Sequence, residues 1–243
     1  MKTVVLLVAA GVSAALAQPF TLDLDFPNGN GADHFVRSVA VQPDGRIVVA
    51  GDFTNVHGVF RPGVARLLAD GRLDGSFLPT ITNSVRRVAV APDGSVLLSG
   101  YYTDQMQSKP GVARLRTDGA FDETFALPPC APANAAIHSL DADADGRLWL
   151  RGNFTNVSGI AARQLVRLNA DGSLDPSFTS PFAPGQSLHS ILSMPDGKML
   201  VAGSFTNLGG VPGFGLARLN SDGSVDGQFQ SPLGSTKGLS RLA

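Results

Sequence analysis

Four short landmarks recur in fixed order along this chain, at intervals of about fifty residues, and no other feature of the sequence restricts the fold as strongly. The first is a turn: Pro43-Asp44-Gly45, Pro92-Asp93-Gly94, Ala144-Asp145-Gly146 and Pro195-Asp196-Gly197. The second is Gly-x-aromatic-Thr, at Gly51 to Thr54, Gly100 to Thr103, Gly152 to Thr155 and Gly203 to Thr206. The third is Arg-Leu-x-x-Asp-Gly, opening at Arg66, Arg114, Arg167 and Arg218. The fourth is apolar-Asp-x-x-Phe, ending at Phe77, Phe125, Phe178 and Phe229, with an additional copy at Leu22-Asp23-Leu24-Asp25-Phe26. From Phe26 onward these phenylalanines are spaced by 51, 48, 53 and 51 residues. Units repeating at such a period bury their apolar surface by stacking on one another.

Each unit carries four strand signals. In the first they are Val36 to Val41, Arg46 to Phe53, Gly63 to Leu68 and the short Arg72 to Phe77. Pro-Asp-Gly suits a tight hairpin, with proline at the first turn position and glycine at the left-handed residue that closes it. The second strands are nearly continuous apolar runs, such as Ile47-Val48-Val49-Ala50 and Met199-Leu200-Val201-Ala202. A run of that kind means burial on both faces, whereas a strand with one wet face would alternate. Small four-stranded sheets, sandwiched between their neighbours and radially repeated, predict an all-β fold, a β-propeller. The units are expected at about 36–82, 85–133, 137–185 and 188–233, with partial strands at 22–26 and 239–243. The last of these matches only the first strand of a fifth unit, so an incomplete ring and a partial chain are expected.

Taken together, Pro-Asp-Gly, Gly-x-Phe-Thr-Asn, Ala-Arg-Leu-Asn-x-Asp-Gly and Leu-Asp-x-Ser-Phe resemble the delta-60 repeat family of bacterial exported and surface proteins. The resemblance runs from Leu22 to the end. It implies propeller modules and an extracellular location, and it carries no established reaction from which a catalytic residue could be transferred. The second unit departs from the pattern, with Tyr101-Tyr102-Thr103-Asp104, and the third lacks the turn proline.

Residues 1–17 read as a signal peptide: Lys2 supplies the positive end, Val4 to Val12 the apolar stretch, and Ala15-Leu16-Ala17 a small-x-small cleavage site. The mature chain would then begin near Gln18, without a transmembrane segment, and be secreted, periplasmic or held at the cell surface. The apolar run is shorter than the roughly 20 residues that span a bilayer. A net charge of −1 gives no general electrostatic reason to bind nucleic acid. Cys130 is the only cysteine, so no internal disulfide forms, and its Pro-rich surroundings supply no activating base.

Up-and-down connectivity puts the tight Asp-Gly turns on one face. The longer connections, Val56 to Pro62, Gln105 to Pro110, Val157 to Arg163 and Leu208 to Gly213, fall on the other. Variable loops on a repeated scaffold are where binding resides, and His57, Phe60, Tyr101, Tyr102, Gln105, Lys109 and Phe214 are candidates there. At the start of each innermost strand stand Arg37, Arg86, His138 and His189, at equivalent positions. In a ring they would form a basic collar around the axial mouth, suited to an anionic or polyhydroxylated ligand. Asp141, Asp143 and Asp145 resemble the opening of a calcium loop, but the twelfth position is Gly152 and Arg147 offers Asp143 an ion pair instead. The repeated Arg66, Arg114, Arg167 and Arg218, with aspartates four residues on, read as fold maintenance through paired buried or half-buried Arg–Asp contacts, because every unit shares them.

No nucleophile elbow or metal spacing occurs among the four histidines. The expectation is a non-catalytic exported binding or scaffold module without a cofactor, its partner a glycan, an anion or a protein. The alternative is a propeller-hosted hydrolase or lyase whose residues converge only in space.

Overall fold

The computed structural model describes residues 31–80, 85–104, 107–131, 135–143, 145–194 and 196–231. The expected signal peptide at 1–17, the copy at 22–26, the tail at 239–243 and Gln105 lie outside the described residues. Four antiparallel sheets of three strands follow one another along the chain, each in the order inner, middle, outer. Blade 1 consists of Val36–Val41, Ile47–Gly51 and Val64–Leu67, and blade 2 of Val85–Val90, Val96–Asp104 and Gln107–Leu115. Blade 3 consists of Ile137–Ala142, Leu148–Gly152 and Leu165–Leu168, and blade 4 of Ser187–Ser193, Met199–Ser204 and Leu216–Leu219. The fourth strand of each unit shortens to a one-residue bridge, Leu67 to Leu73, Leu115 to Phe121, Leu168 to Leu174 and Leu219 to Val225. The described residues contain no helix, and no closed ring is found among them.

The hairpin turns follow from their residues. Gly45 donates to the Gln42 carbonyl at 2.9 Å and adopts a φ of 83°, and Gly94, Gly146 and Gly197 repeat the conformation at 80°, 78° and 77°. Proline before Asp-Gly presets the turn, and glycine supplies the left-handed residue at no steric cost.

The core lies between the blades. Along the middle strand of blade 2, Val96 and Leu98 pack with Val48, Ala50, Val64 and Phe77 of blade 1. Leu97, one residue between them, packs with Ile137, Leu148 and Leu150 of blade 3. Trp149 and Phe178 pass the contact on to Met199 and Val201 of blade 4. The strand period of two sends alternate side chains into opposite interfaces, which is why the middle strands read as unbroken apolar runs.

The repeated arginines clasp one blade to the next, and their acidic partners differ from the expected ones. Arg66, Arg114 and Arg167 hold Asp74, Asp122 and Asp175, eight residues on, at 2.8, 2.7 and 2.7 Å. Arg218 holds Asp226 in the same way at 2.8 Å. The aspartates four residues on are turned away, because Asp70, Asp118, Asp171 and Asp222 accept from the backbone amide two residues ahead and so cap their own turns. The same guanidinium groups reach across the interface. Arg66 donates to the Thr117 carbonyl at 2.6 Å, Arg114 to that of Ala170 at 2.5 Å, and Arg167 to that of Ser221. Each also covers the ring of its unit's phenylalanine, Arg66 over Phe77 at 4.6 Å and Arg114 over Phe125 at 5.0 Å.

This ladder makes the fold acid-sensitive. Burial alone would raise Asp74, but the Ser76 hydroxyl and amide together with Arg66 outweigh it and hold the carboxyl at about 2. Lys198, the Gln228 amide and Arg218 hold Asp226 at about 2 as well. These folded-state values lie below the ~3.9 of an unfolded aspartate. Their contribution is therefore complete above about pH 4 and is lost as pH falls through the folded value. Thermal melts from pH 7 to pH 2 should show little change in midpoint down to about pH 4 and a steep fall below it; a midpoint unchanged at pH 2 contradicts the assignment.

Candidate functional site

Each inner strand carries a β-bulge near its start, between Val36 and Ser38, Val85 and Arg87, Ile137 and Ser139, and Leu188 and Ser190. The residues inside the four bulges are Arg37, Arg86, His138 and His189. A bulge leaves one residue out of the ladder and re-aims its side chain, so the four collar positions are places where the sheet releases a side chain. The glycine of the second landmark makes room for the bulged strand. A Cβ at Gly51 would lie 2.0 Å from the Phe35 carbonyl oxygen, and one at Gly203 would lie 1.9 Å from that of Ser187.

Arg37, Arg86 and His138 line a single depression of 580 Å³, together with Phe35, Val36, Arg87, Ile137 and Arg151. Its walls come from blades 1 to 3, whose inner strands pack side by side. Arg37 is gripped by Asp52, its Nε 2.8 Å from both carboxylate oxygens. His189 occupies the corresponding bulge of blade 4, with its Nε2 3.4 Å from Ser204 Oγ, and is not among the lining residues described.

Arg87 and Arg151 were not among the residues expected from the sequence, yet they depart from the repeat. The positions equivalent to Arg87 are Ser38, Ser139 and Ser190, and those equivalent to Arg151 are Ala50, Ser99 and Ala202. Phe35 likewise stands where the other units have Ser84, Ala136 and Ser187. Residues shared by all blades serve the fold, whereas departures that meet at one place point to a site. Comparing units position by position for such departures is the signal that would have found them.

The cations crowd one another. Burial lowers the His138 pKa below the ordinary histidine value, and the Arg151 and Arg86 charges push it the same way. Burial and the Arg87 charge lower that of Arg151. Arg151 donates to the Leu188 carbonyl at 2.9 Å, while its buried Nε has no hydrogen-bond partner among the described residues. Arg87 donates to the Arg37 carbonyl at 3.3 Å. No carboxylate lies among the described lining residues.

The other candidates lie elsewhere. Tyr101 and Tyr102 pair with Pro110 and Lys109 in the long hairpin of blade 2. That hairpin corrects the expectation of a loop from Gln105 to Pro110, since the outer strand already begins at Gln107; the ladder simply continues past the point where other blades break it. In the other blades the long connections form two-residue hairpins, Asn55–Val56 with Val59–Phe60, Asn156–Val157 with Ile160–Ala161, and Asn207–Leu208 with Val211–Pro212. His57 and Phe214 sit at positive φ, 53° and 39°, and Phe60 is exposed. Asp143 and Asp145 both bind Arg147, at 2.9 and 2.6 Å, and Asp141 lies 3.5 Å from the Ser193 hydroxyl. No three His, Cys, Asp or Glu side chains come together as a metal-holding group among the described residues. Burial pushes the Cys130 thiol up, which leaves it less reactive.

A family model described as a domain of unknown function (DUF5122) beta-propeller matches four times, at residues 42–77, 91–125, 144–178 and 195–229. No curated protein matches the chain. Among solved structures, a gluconolactonase from Xanthomonas campestris is 19% identical over 80% of this chain and 61% of its own, with a TM-score of 0.47. Virginiamycin B lyase from Staphylococcus aureus is 16% identical over 87% of this chain and 74% of its own, with a TM-score of 0.43. An extracellular domain from B. thetaiotaomicron is 16% identical over 82% of this chain and 22% of its own, with a TM-score of 0.44. The chain thus spans 22% of the last and 61% of the first.

Proposed function

The chain belongs to the DUF5122 β-propeller family, and from that premise we propose that it is an exported binding module that captures an anionic ligand at the mouth of its blades. Within the family we read the repeat as the delta-60 type, on its Pro-Asp-Gly and Leu-Asp-x-Ser-Phe landmarks. The signal-like residues 1–17 support export. One observation carries the binding reading: Arg87 and Arg151, which break the repeat, meet the bulge residues Arg37, Arg86 and His138 around one depression. Cations brought together without a carboxylate in the lining favour an incoming negative charge. In the described lining His138 can act as a base, but no serine, threonine, cysteine or carboxylate stands beside it as nucleophile or orienting partner.

Sulfate titrated by calorimetry at low ionic strength tests the reading, since sulfate keeps its charge across the working range. Affinity should weaken with added sodium chloride. It should also rise on acidification, because a protonated His138 adds a cation. The neighbouring Arg86 and Arg151 charges and burial lower that group, so the rise belongs below the usual midpoint near pH 6.5. Absence of any sulfate binding at low salt refutes anion capture, and a flat profile from pH 7.5 to 5 removes His138 from the site.

A further inference from the structure

Among the described residues the depression offers mainly donors and apolar surface. Among the described residues, Arg37, Arg86, Arg87, Arg151 and His138 are the polar side chains that face it, Arg37 held by Asp52. An arginine has only donors, and His138, whose pKa burial and the neighbouring cations lower, adds a single acceptor nitrogen when neutral. Three nearby carbonyls already accept a hydrogen bond: that of Arg37 from Arg87, that of Leu188 from Arg151, and that of Phe35 from the Asp52 amide at 2.9 Å. Beside these cations stand Ile137 and the ring of Phe35, which is 68% exposed. Phe35 is the one aromatic at its position in the four units. The volume of 580 Å³ is that of a small-molecule site, about 300–1,000 Å³, and well beyond what one inorganic anion fills.

We infer that the site selects a compact organic polycarboxylate with a flat apolar frame, and that it discriminates against ligands rich in hydroxyl or amine donors. The inference rests on the anion-capture reading and names its ligand class. A hydroxyl group here can accept from an arginine, but its own O–H finds few acceptors in the described lining, and a donor left unpaired costs about 1–3 kcal/mol. A carboxylate accepts from an arginine fork in bidentate fashion, while a planar ring between the carboxylates lies against Phe35. Neutral sugars and sugar acids pay the unpaired-donor penalty even where their charge is welcome.

The test titrates the chain at low salt with trimesate, tricarballylate, inorganic phosphate and trigalacturonate. Trimesate should bind about tenfold more tightly than phosphate or trigalacturonate. Phe35→Ala should weaken trimesate about fivefold, leave the aliphatic tricarballylate nearly unchanged, and keep the thermal midpoint, because the ring is exposed. Arg87→Gln should weaken all the anions together. If trigalacturonate or phosphate binds as tightly as trimesate and Arg87→Gln weakens them equally, the donor-only inference is wrong and anion capture stands. If Phe35→Ala weakens trimesate and tricarballylate alike, the aromatic platform is wrong. If no probe binds, both readings fail.

Discussion

Replacing Arg167 with methionine is expected to destabilise the chain by about 3–5 kcal/mol, the cost of breaking a buried ion pair by removing one partner. Arg167 is 3% exposed and Asp175 9% exposed. The arginine donates from Nε to Asp175 at 2.7 Å, from Nη2 to the Ser177 hydroxyl at 2.9 Å, and from Nη1 across the interface to the Ser221 carbonyl. Its guanidinium also lies over Trp149 at 5.2 Å and Phe178 at 5.3 Å. Methionine keeps much of the volume but leaves Asp175 as a buried charge without its cation, and it unties blade 3 from blade 4. Domains of this kind are stable by only about 5–15 kcal/mol, so the loss should be plain in urea unfolding followed by circular dichroism. Removing the stranded carboxylate as well, in Arg167→Met with Asp175→Leu, should recover part of the stability, since an apolar pair carries no unpaired charge. The same change at Arg218, whose side chain is 25% exposed, should cost less. A cost below about 1 kcal/mol for Arg167→Met would mean that the clasp does not hold the blades together.

The opposite combination is expected at the mouth. Arg87→Gln and Arg151→Gln should each reduce sulfate affinity about tenfold or more, and together about a hundredfold or more, because each removes a charge-assisted bond of about 1.5–3 kcal/mol. The unliganded protein should lose little stability by comparison, because relief of like-charge crowding offsets the lost bond from Arg151 to the Leu188 carbonyl. The basis is the depressed Arg151 pKa, which burial and the Arg87 charge produce together. A folded-state value below the unfolded one for a cation means that its positive charge opposes folding. In wild type, sulfate should therefore raise the melting midpoint, and in the double variant that rise should vanish. Loss of stability in parallel with loss of binding would assign the two arginines to the fold instead.

The repeat was legible from the residues because its causes are local. Asp-Gly turns need a left-handed glycine within three residues of the chain, and two-sided burial leaves an unbroken apolar run in a single strand. Blade number, strand order and the buried middle strands follow from such short-range constraints. The partners of Arg66 and its counterparts were misassigned because two aspartates compete for each arginine. Only the fold of the hairpin decides that Asp70 accepts from the Arg72 amide of its own turn while Asp74 faces the guanidinium. The bulges were also hidden, since a one-residue register shift leaves no mark on composition.

The amino-acid sequence by itself thus determined the architecture, and it marked Arg37, Arg86, His138 and His189 as equivalent positions. The tertiary structure decided which basic residues meet. Arg87 lies in an inner strand of blade 2 and Arg151 in a middle strand of blade 3, 64 residues apart in the chain. They reach the same depression because the stacking of blades sets three inner strands side by side and turns their bulged ends to one mouth. Such convergence depends on packing between units, and a pattern repeated within each unit carries no trace of it.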